Sequence, residues 1–278
     1  MGGQMEAATH AIGWLELDGV VNMRDVGGIP THDGGVIAAG RLIRSDNLQT
    51  LSARDVRRLV DDLGVTDVVD LRSLAELGHE GPGPLVGHPC VRISHFSMYA
   101  ADAEESGVPA GERELPWVEL QRAERADPDF VPVTADHDAH WSRHYLGYLA
   151  QRPDSVLGAL RAIAAAPGAV IVHCAAGKDR TGTVTSLALS VAGARREAVL
   201  ADFAASSERV EQILARLLDR PAYAAALQGQ TAEQQRTRPE TMARLLDTLD
   251  REHGGVLGWL AGHGWTGSDT ERLVAKLR

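Results

Sequence analysis

Hydrophobic positions repeat with two different periods along this chain, and each period predicts a different kind of element. After Ser52, apolar residues recur at helical spacing as far as Gly64, so we predict a helix between these two residues. Residues 65–71 and 170–172 are instead short β-branched runs, the pattern of buried strands. Residues 91–98 are a further candidate strand.

Helical spacing returns around the second apolar strand. The pattern predicts helices over 139–149 and 153–166, a helix after residue 180, and almost continuous helix from 194 onward. Strands that alternate with helices predict an α/β fold, with a mostly parallel central sheet flanked by helices and a helical C-terminal half. No internal repeat or long linker interrupts the pattern, so we expect residues 1–278 to form one domain.

Two segments depart from this regular pattern. Residues 101–136 are rich in Asp, Glu, Gly and Pro and lack periodicity, which predicts a surface excursion or flap. Residues 208–250 contain two apolar stripes separated by a polar stretch, the first around Ile213 and the second around Leu245. We interpret this segment as a helical lid over a site or as ordinary core packing, and core packing is favoured more for the second stripe.

The most informative chemistry follows the strand at 170–172, in the stretch HCAAGKDRTG at residues 173–182. Five residues separate Cys174 from Arg180, and the next helix begins at once. Backbone N–H groups in such a loop can form a ring that binds an anion, and the positive end of the helix dipole adds to it. The same positive potential favours the thiolate, the nucleophilic form of cysteine.

These properties assign a role to each residue of the loop. Cys174 is the candidate nucleophile, and Arg180 offers a planar, permanently charged fork to two phosphate oxygens. Gly177 is expected to turn the backbone with a positive φ. The candidates for substrate binding lie in the loop and the start of the helix: Ala175, Ala176, Gly177, Lys178 and Thr181.

A leaving phenolate or alkoxide needs a proton, and a carboxyl near the phosphate is the natural donor. Two aspartates are candidates. Asp179 lies inside the loop, and Asp70 lies at the end of the strand 65–71, at the sheet edge where Cys174 is also expected. We favour Asp179; the alternative for Asp70 is that it positions loop N–H groups or pairs with Arg180.

The stretch HCAAGKDRTG resembles the phosphate-binding loop of cysteine-dependent phosphatases, whose pattern is H-C-x5-R-[ST]. Its GKDRTG form is similar to one branch, the bacterial tyrosine phosphatases with dual-specificity and phosphoinositide activity. NMRDVGG at 22–28, RLIRS at 41–45 and DLRS at 70–73 match that branch in order, and ADF at 201–203 resembles its Asp-Tyr motif with Phe for Tyr.

This resemblance runs from about residue 14 to the end of the chain. It implies a protein tyrosine phosphatase-like fold and hydrolysis of phosphotyrosine, and it extends the expected substrates to phosphoserine, phosphothreonine and phosphoinositides. It also implies that the aspartate at position 179 is the general acid. A cysteinyl-phosphate intermediate on Cys174 follows from the loop chemistry.

Several basic residues have two interpretations. Lys178 either raises the potential of the loop or, as the resemblance suggests, contacts an additional phosphate of an inositol ring. The flanking motifs supply three arginines that either rim the pocket or form structural ion pairs; these are Arg24, Arg44 and Arg72, with Asp25, Asp46 and Asp70 as candidate partners.

Composition limits the partners and the compartment. The formal net charge of −10 argues against a nucleic-acid partner, and phosphoproteins or phosphoinositides remain as substrates. Two cysteines cannot form a disulfide framework, and we expect Cys90 to be buried, with a reversible disulfide to Cys174 as the alternative. The sequence has no signal-peptide pattern and no apolar run of about 18 residues, so we expect a cytoplasmic protein without a membrane span. Export by another route and the oligomeric state stay open.

Three histidines, His137, His140 and His144, fall at helical spacing, as in some zinc sites. The H-E-x-x-H pattern is missing, so we predict neither a metal nor a cofactor. Other functional classes compatible with a Cys-x5-Arg loop are a rhodanese, an arsenate reductase and a catalytically silent phospholigand-binding module. The joint presence of Cys174, Asp179 and Arg180 disfavours a silent module.

Overall fold

The central element of the computed structural model is a mostly parallel sheet; the model describes residues 11–103, 107–118, 122, 126 and 132–278. The strands within these residues are β1 (Gly13–Trp14), β2 (Arg24–Asp25), β3 (Leu42–Ser45), β4 (Val65–Asp70), β5 (Arg92–His95) and β6 (Ala169–His173). Their spatial order is β1-β2-β3-β6-β4-β5. The strands β3, β6, β4 and β5 run parallel, and β1 and β2 extend one edge in antiparallel fashion. The predicted α/β architecture is confirmed.

Helices cover the sheet and form the C-terminal half, as the apolar pattern predicts. The helix after Ser52 begins as α1 and continues as a π-helical stretch, Arg58–Asp62. In the described parts of 101–136, Ala100–Asp102 and Ala110–Glu112 are short 3₁₀ turns, and the remainder of that predicted excursion lies partly outside them. The described α-helices are α1 (Ala53–Arg57), α2 (Leu74–Glu80), α3 (His137–Gln151), α4 (Pro153–Ala165), α5 (Asp179–Val191), α6 (Arg196–Ala205), α7 (Val210–Leu218), α8 (Pro221–Leu227), α9 (Pro239–His253), α10 (Val256–Gly262) and α11 (Gly267–Leu277).

The sheet is buried on both faces, which explains the unbroken apolar runs of its central strands. In β6, Val170 and Val172 belong to the large core beneath α3, α4, α5 and α9, whereas Ala169 and Ile171 belong to the core on the α1 side. Complete burial of each such side chain contributes about 1.5–3 kcal/mol to folding. The catalytic-loop candidate therefore follows a fully buried strand, whose end is fixed by packing on both sides.

The two apolar stripes of 208–250 have different environments. Ile213 and Leu217 of α7 pack with Ala175 and Ala176, directly on the turn that follows β6. The second stripe, on α9, belongs to the large core instead. Of the two stripes, only the first therefore covers the turn after β6, as a lid over that turn would.

A buried ion network fixes the elements behind that turn. Arg24 and Arg44 are partners across β2 and β3, so two like charges would face each other without solvent between them. Asp202 of α6 accepts from both, at 2.9 Å from Arg24 Nε and 2.6 Å from Arg44 Nη1. The candidate partners Asp25 and Asp46 were wrong. Asp25 follows Arg24 on one strand, and so its side chain points to the opposite face, while Asp46 accepts backbone N–H groups of residues 21 and 22.

The same network holds the turn after β6 by its carbonyl oxygens. Arg24 Nη1 donates to Asn22 Oδ1 at 2.8 Å and thereby orients the Asn22 amide. Three successive carbonyls accept from outside the turn: Ala175 O from Asn47 N–H (3.0 Å), Ala176 O from Asn22 Nδ2 (2.9 Å) and Gly177 O from Arg44 Nη2 (2.9 Å). Because N–H and C=O of one trans peptide unit point in opposite directions, the N–H groups of 176–178 face the other side of the turn.

Removal of the shared carboxylate tests this network. Asp202→Asn leaves two buried guanidinium groups without their counter-charge, so we expect the free energy of unfolding in urea to fall by about 3–5 kcal/mol. Burial raises the pKa of Asp202, but Arg24 and Arg44 outweigh it and hold the pKa below its ordinary value. The loss should therefore be complete above the ordinary carboxyl range near pH 4 and shrink as the pH falls below it.

The matched control is Asp247→Asn, which breaks a solvent-exposed pair with Arg196. This variant should change the free energy of unfolding by no more than about 1 kcal/mol. Equal costs for the two variants would contradict a structural role of Asp202 beyond that of a surface ion pair.

Candidate active site

A cavity of about 430 Å³ opens over the turn after β6, at the carboxyl edge of the parallel strands. Its floor contains six residues of the predicted loop or its helix: Cys174, Ala175, Ala176, Lys178, Asp179 and Arg180. Its walls are mainly apolar and aromatic and come chiefly from α3, α7, α8 and residues 99 and 117. They include Tyr99, Trp117, Trp141, Tyr148, Ile213, Leu217 and Tyr223. The structure thus brings together most of the predicted loop residues in one enclosed space.

The backbone of the loop forms the anion-binding part of this floor. Gly177 has φ +68°, so its predicted positive φ is confirmed. A Cβ at this position would lie 2.4 Å from Ser45 O and 2.5 Å from Asp46 N. Glycine is therefore required by the close approach of the loop to the end of β3 as well as by its φ. Because the carbonyl oxygens of the loop are hydrogen-bonded on the opposite side, its N–H groups lie on the side of Cys174. Cys174 is 1% exposed.

Arg180 is held by Glu76 of α2, a residue that the sequence interpretation missed. The two guanidinium nitrogens Nη1 and Nη2 lie 2.5 and 3.0 Å from the Glu76 carboxylate oxygens. Burial raises the pKa of Glu76, but Arg180 outweighs it and keeps the carboxyl ionised. The spacing Ser73-x-x-Glu76 forms a helix capping box and was the available signal, although it indicates a cap and not an arginine partner.

Asp179 lies in the cavity and has two donors near one oxygen. Tyr145 of α3 donates its hydroxyl to Asp179 Oδ1 at 2.6 Å, and Lys178 Nζ lies 3.4 Å from the same oxygen. Among the described residues, both polar contacts of this side chain involve Oδ1 and not Oδ2. This arrangement fits a carboxyl that delivers or accepts a proton.

Asp70 is placed differently. It ends β4 as predicted, but its carboxylate binds Arg72 (2.6 Å to Nη2) and lies 3.4 Å from His173 Nε2. It lines a separate cavity of about 540 Å³ and not the one that contains Cys174. Burial raises the pKa of Asp70, yet His173 and Arg72 outweigh it and hold the pKa well below its ordinary value. The geometry therefore favours Asp179 over Asp70 as the acid, and the predicted pair of Arg72 with Asp70 is confirmed.

Lys178 joins the floor of the cavity to the segment between α8 and α9. Its Nζ donates to the backbone oxygen of Gln235 in that segment at 2.9 Å and lies 4.5 Å from the centre of the Trp141 ring. The side chain is almost fully buried and lines the cavity. A ligand that binds Lys178 can replace the Gln235 carbonyl as acceptor or accept from another N–H of the ammonium group.

The remaining loop candidate and the second cysteine complete the list of predicted residues. Thr181 is buried, and its Oγ1 has no hydrogen-bond partner among the described residues, so its hydroxyl hydrogen is available to a neighbouring group. Cys90 is exposed, so the expectation of burial was wrong. The reason is its position in the turn that precedes β5, outside the packed part of the strand.

The three histidines of α3 take part in side-chain contacts. His137 Nδ1 lies 3.1 Å from Asp138 Oδ1, and His144 Nε2 lies 2.8 Å from the Tyr148 hydroxyl. Burial lowers the pKa of His144 to about 4, so the ring is neutral near pH 7. In the part of the chain that the structure describes, no group of three or more His, Cys, Asp or Glu side chains is arranged to hold a metal ion.

Comparison with known proteins finds several similar chains. The triple specificity protein phosphatase PtpB of Mycobacterium tuberculosis is 30% identical over 275 residues, which cover 93% of this chain and 96% of PtpB. A Cupriavidus necator protein named as a tyrosine-protein phosphatase is 28% identical over 198 residues, 71% of this chain and 64% of the relative. The crystal structure of P. aeruginosa TpbA aligns with a TM-score of 0.34 and 15% identity, covering 85% of this chain and 97% of TpbA.

No helix among the described residues has both the length and the apolar character needed to cross a membrane. Residues 15–278 match the sequence model of the tyrosine phosphatase family. With the loop, the cavity and the similarity to PtpB over almost the whole chain, this match leads to one conclusion: the chain belongs to the tyrosine phosphatase family and is a phosphoric monoester hydrolase.

Proposed function

We propose that this enzyme hydrolyses phosphotyrosine, and also phosphoserine, phosphothreonine and phosphoinositides, through a cysteinyl-phosphate intermediate on Cys174. The observation that carries the proposal is the floor of the cavity, which contains a buried thiol and the loop that follows it. The loop's carbonyl oxygens are bound on the side away from the cavity, so the N–H groups of the same peptide units point toward the cavity. Arg180 and the start of α5 complete a binding site for a tetrahedral dianion.

In the first step, the Cys174 thiolate attacks phosphorus and forms the S–P bond while the P–O bond to the leaving group breaks. The loop N–H groups and Arg180 bind the non-bridging oxygens, where the negative charge is concentrated. Asp179 transfers its proton to the leaving oxygen, so a phenol or alcohol departs instead of an anion. Preorganised donors make this step fast because they need no rearrangement during the reaction.

In the second step, water attacks the phosphorus of the cysteinyl phosphate. Asp179, now a carboxylate, takes the proton of that water, the S–P bond breaks and inorganic phosphate forms. The Thr181 hydroxyl, which has no other partner among the described residues, donates to the departing sulfur. The cycle returns Cys174 as the thiolate and Asp179 as the acid.

The walls support a broad substrate range. Trp117 and Tyr223 stack at 5.5 Å between ring centres, and together with α7 they give an apolar surface larger than one phenol ring requires. Recognition of the phosphate by the floor does not depend on what carries it. A relative named for triple specificity supports the same breadth here.

Replacement of the nucleophile is the direct test. Cys174→Ser should abolish turnover, because an alcohol at this site remains protonated, while vanadate or phosphate binding should persist, because the N–H groups and Arg180 are unchanged. Rapid chemical quench of the wild-type enzyme should trap a phosphocysteine. The measurement uses phosphotyrosine peptide, phosphoserine/threonine peptide and phosphoinositide, each with and without EDTA.

The EDTA measurements test the cysteinyl-phosphate mechanism, and the comparison of substrates tests the substrate range. Full activity of the serine variant, or a rate that EDTA abolishes and zinc restores, would refute the cysteinyl-phosphate mechanism. Turnover of phosphotyrosine alone would leave the mechanism intact and remove the wider substrate range.

The acid assignment predicts a dependence on the leaving group. Asp179→Asn should lower kcat by about 10²–10⁴-fold on an aryl phosphate with a poor leaving group and much less on an activated one, which departs without a proton. Asp70→Asn should affect both substrates alike, because Asp70 acts on Arg72 and His173 outside the cavity. A leaving-group dependence seen with Asp70→Asn alone would reverse the assignment.

Lys178 predicts a difference between substrate classes. A phosphotyrosine places its phosphate on the loop, whereas an inositol ring brings a second phosphate that can replace the Gln235 carbonyl at Lys178 Nζ. Lys178→Ala should therefore reduce kcat/KM about tenfold more on phosphoinositides than on phosphotyrosine peptides.

The chain's only other lysine is the matched control, since Lys276 Nζ donates to the backbone oxygens of residues 166 and 168 and is not among the residues that line the cavity. Lys276→Ala should leave the ratio of the two kcat/KM values unchanged. Equal losses on both substrate classes in Lys178→Ala would mean that Lys178 only tunes the potential of the loop.

A further inference from the structure

Tyr145 is a buried phenol of α3 that contacts the candidate acid and that no motif of the sequence indicates. Its hydroxyl donates to Asp179 Oδ1 at 2.6 Å, across 34 positions of the chain. The ring is 1% exposed and packs edge-on against Phe203, with ring centres 5.9 Å apart. Packing therefore fixes the phenol, and the phenol fixes the position of the oxygen to which it donates.

The direction of this hydrogen bond follows from the surroundings of the phenol. Burial and the nearby Asp179 raise the pKa of Tyr145 well above its ordinary value, so the hydroxyl keeps its hydrogen and acts as the donor. Lys178 Nζ faces the same Asp179 oxygen at 3.4 Å. With Oδ1 engaged by donors, the exchangeable proton of the carboxyl belongs on Oδ2.

We propose that Tyr145 is a positioning residue for general acid catalysis: its hydroxyl fixes the plane of the Asp179 carboxyl and reserves Oδ2 for proton transfer to the leaving group. This inference rests on the proposed role of Asp179. Correct placement of a proton donor within hydrogen-bond reach is part of what an acid contributes to the rate, so loss of the positioning contact lowers the rate even when the acid itself remains.

Tyr145→Phe is the decisive variant, because it removes one oxygen and keeps the ring that packs against Phe203. On an aryl phosphate with a poor leaving group, kcat should fall about tenfold, as expected for the loss of one hydrogen bond. On an activated aryl phosphate the loss should be much smaller.

Two further variants separate this role from general damage to the fold. Tyr148→Phe removes a buried hydroxyl of the same helix that contacts His144 and not Asp179, so any loss of kcat should be the same on the two aryl phosphates. In the double variant Tyr145→Phe/Asp179→Asn, kcat should be no lower than in Asp179→Asn alone, because a positioning residue has no effect without the group it positions.

The outcomes distinguish this inference from the proposed function. An Asp179→Asn variant without leaving-group dependence would overturn the acid assignment and this inference with it. If Asp179→Asn shows the leaving-group dependence but Tyr145→Phe loses equally on both substrates, the positioning role alone would be overturned.

Discussion

The site depends on one constraint: the turn after β6 is held by its carbonyl oxygens, from the side away from the cavity. Arg44 and Asn22 provide two of these contacts, and Asp202 makes them possible by neutralising guanidinium groups that would otherwise repel each other in a dry interior. Burial and the neighbouring Arg44 lower the pKa of Arg24 only to about 10, so Arg24 stays charged at neutral pH. Each peptide unit bound from behind presents its N–H group in front.

This arrangement explains how a chain with a net charge of −10 builds an anion site. The guanidinium group of Arg180 is already paired with Glu76, so the formal charges of this pair largely cancel. Oriented peptide dipoles and the start of α5 therefore supply a large part of the positive potential at Cys174. Fixed dipoles have an advantage over side-chain charges here, because the buried scaffold holds them in place before the substrate arrives.

The strand, loop and helix around Cys174 could be predicted from the sequence, because their hydrophobic periods and residue spacing are local properties of the chain. The residues that contact this loop from other parts of the chain could not be predicted. Asp202 is 178 positions from Arg24 and Tyr145 is 34 positions from Asp179, and one sequence holds no signal for such pairs. The error over Asp25 is instructive: adjacency along a strand places side chains on opposite faces, so sequence neighbours were the least suitable partners. Cys90 was misplaced because residue type predicts average burial, whereas its turn lies outside the packed layer.

The floor and the walls of the cavity have separate origins, and this separation determines how specificity arises. The floor is backbone held by buried residues, so it recognises phosphate and little else. The walls come from α3, α7 and α8, which pack on the floor through side chains such as Ile213. Lys178 is the exception, since it belongs to the floor but donates to Gln235 in the segment between α8 and α9. Where a second phosphate replaces the Gln235 carbonyl at Lys178, the gain is the difference between an anionic and a neutral acceptor. Such a difference is modest, and it biases a broad enzyme toward polyphosphorylated ligands without excluding others.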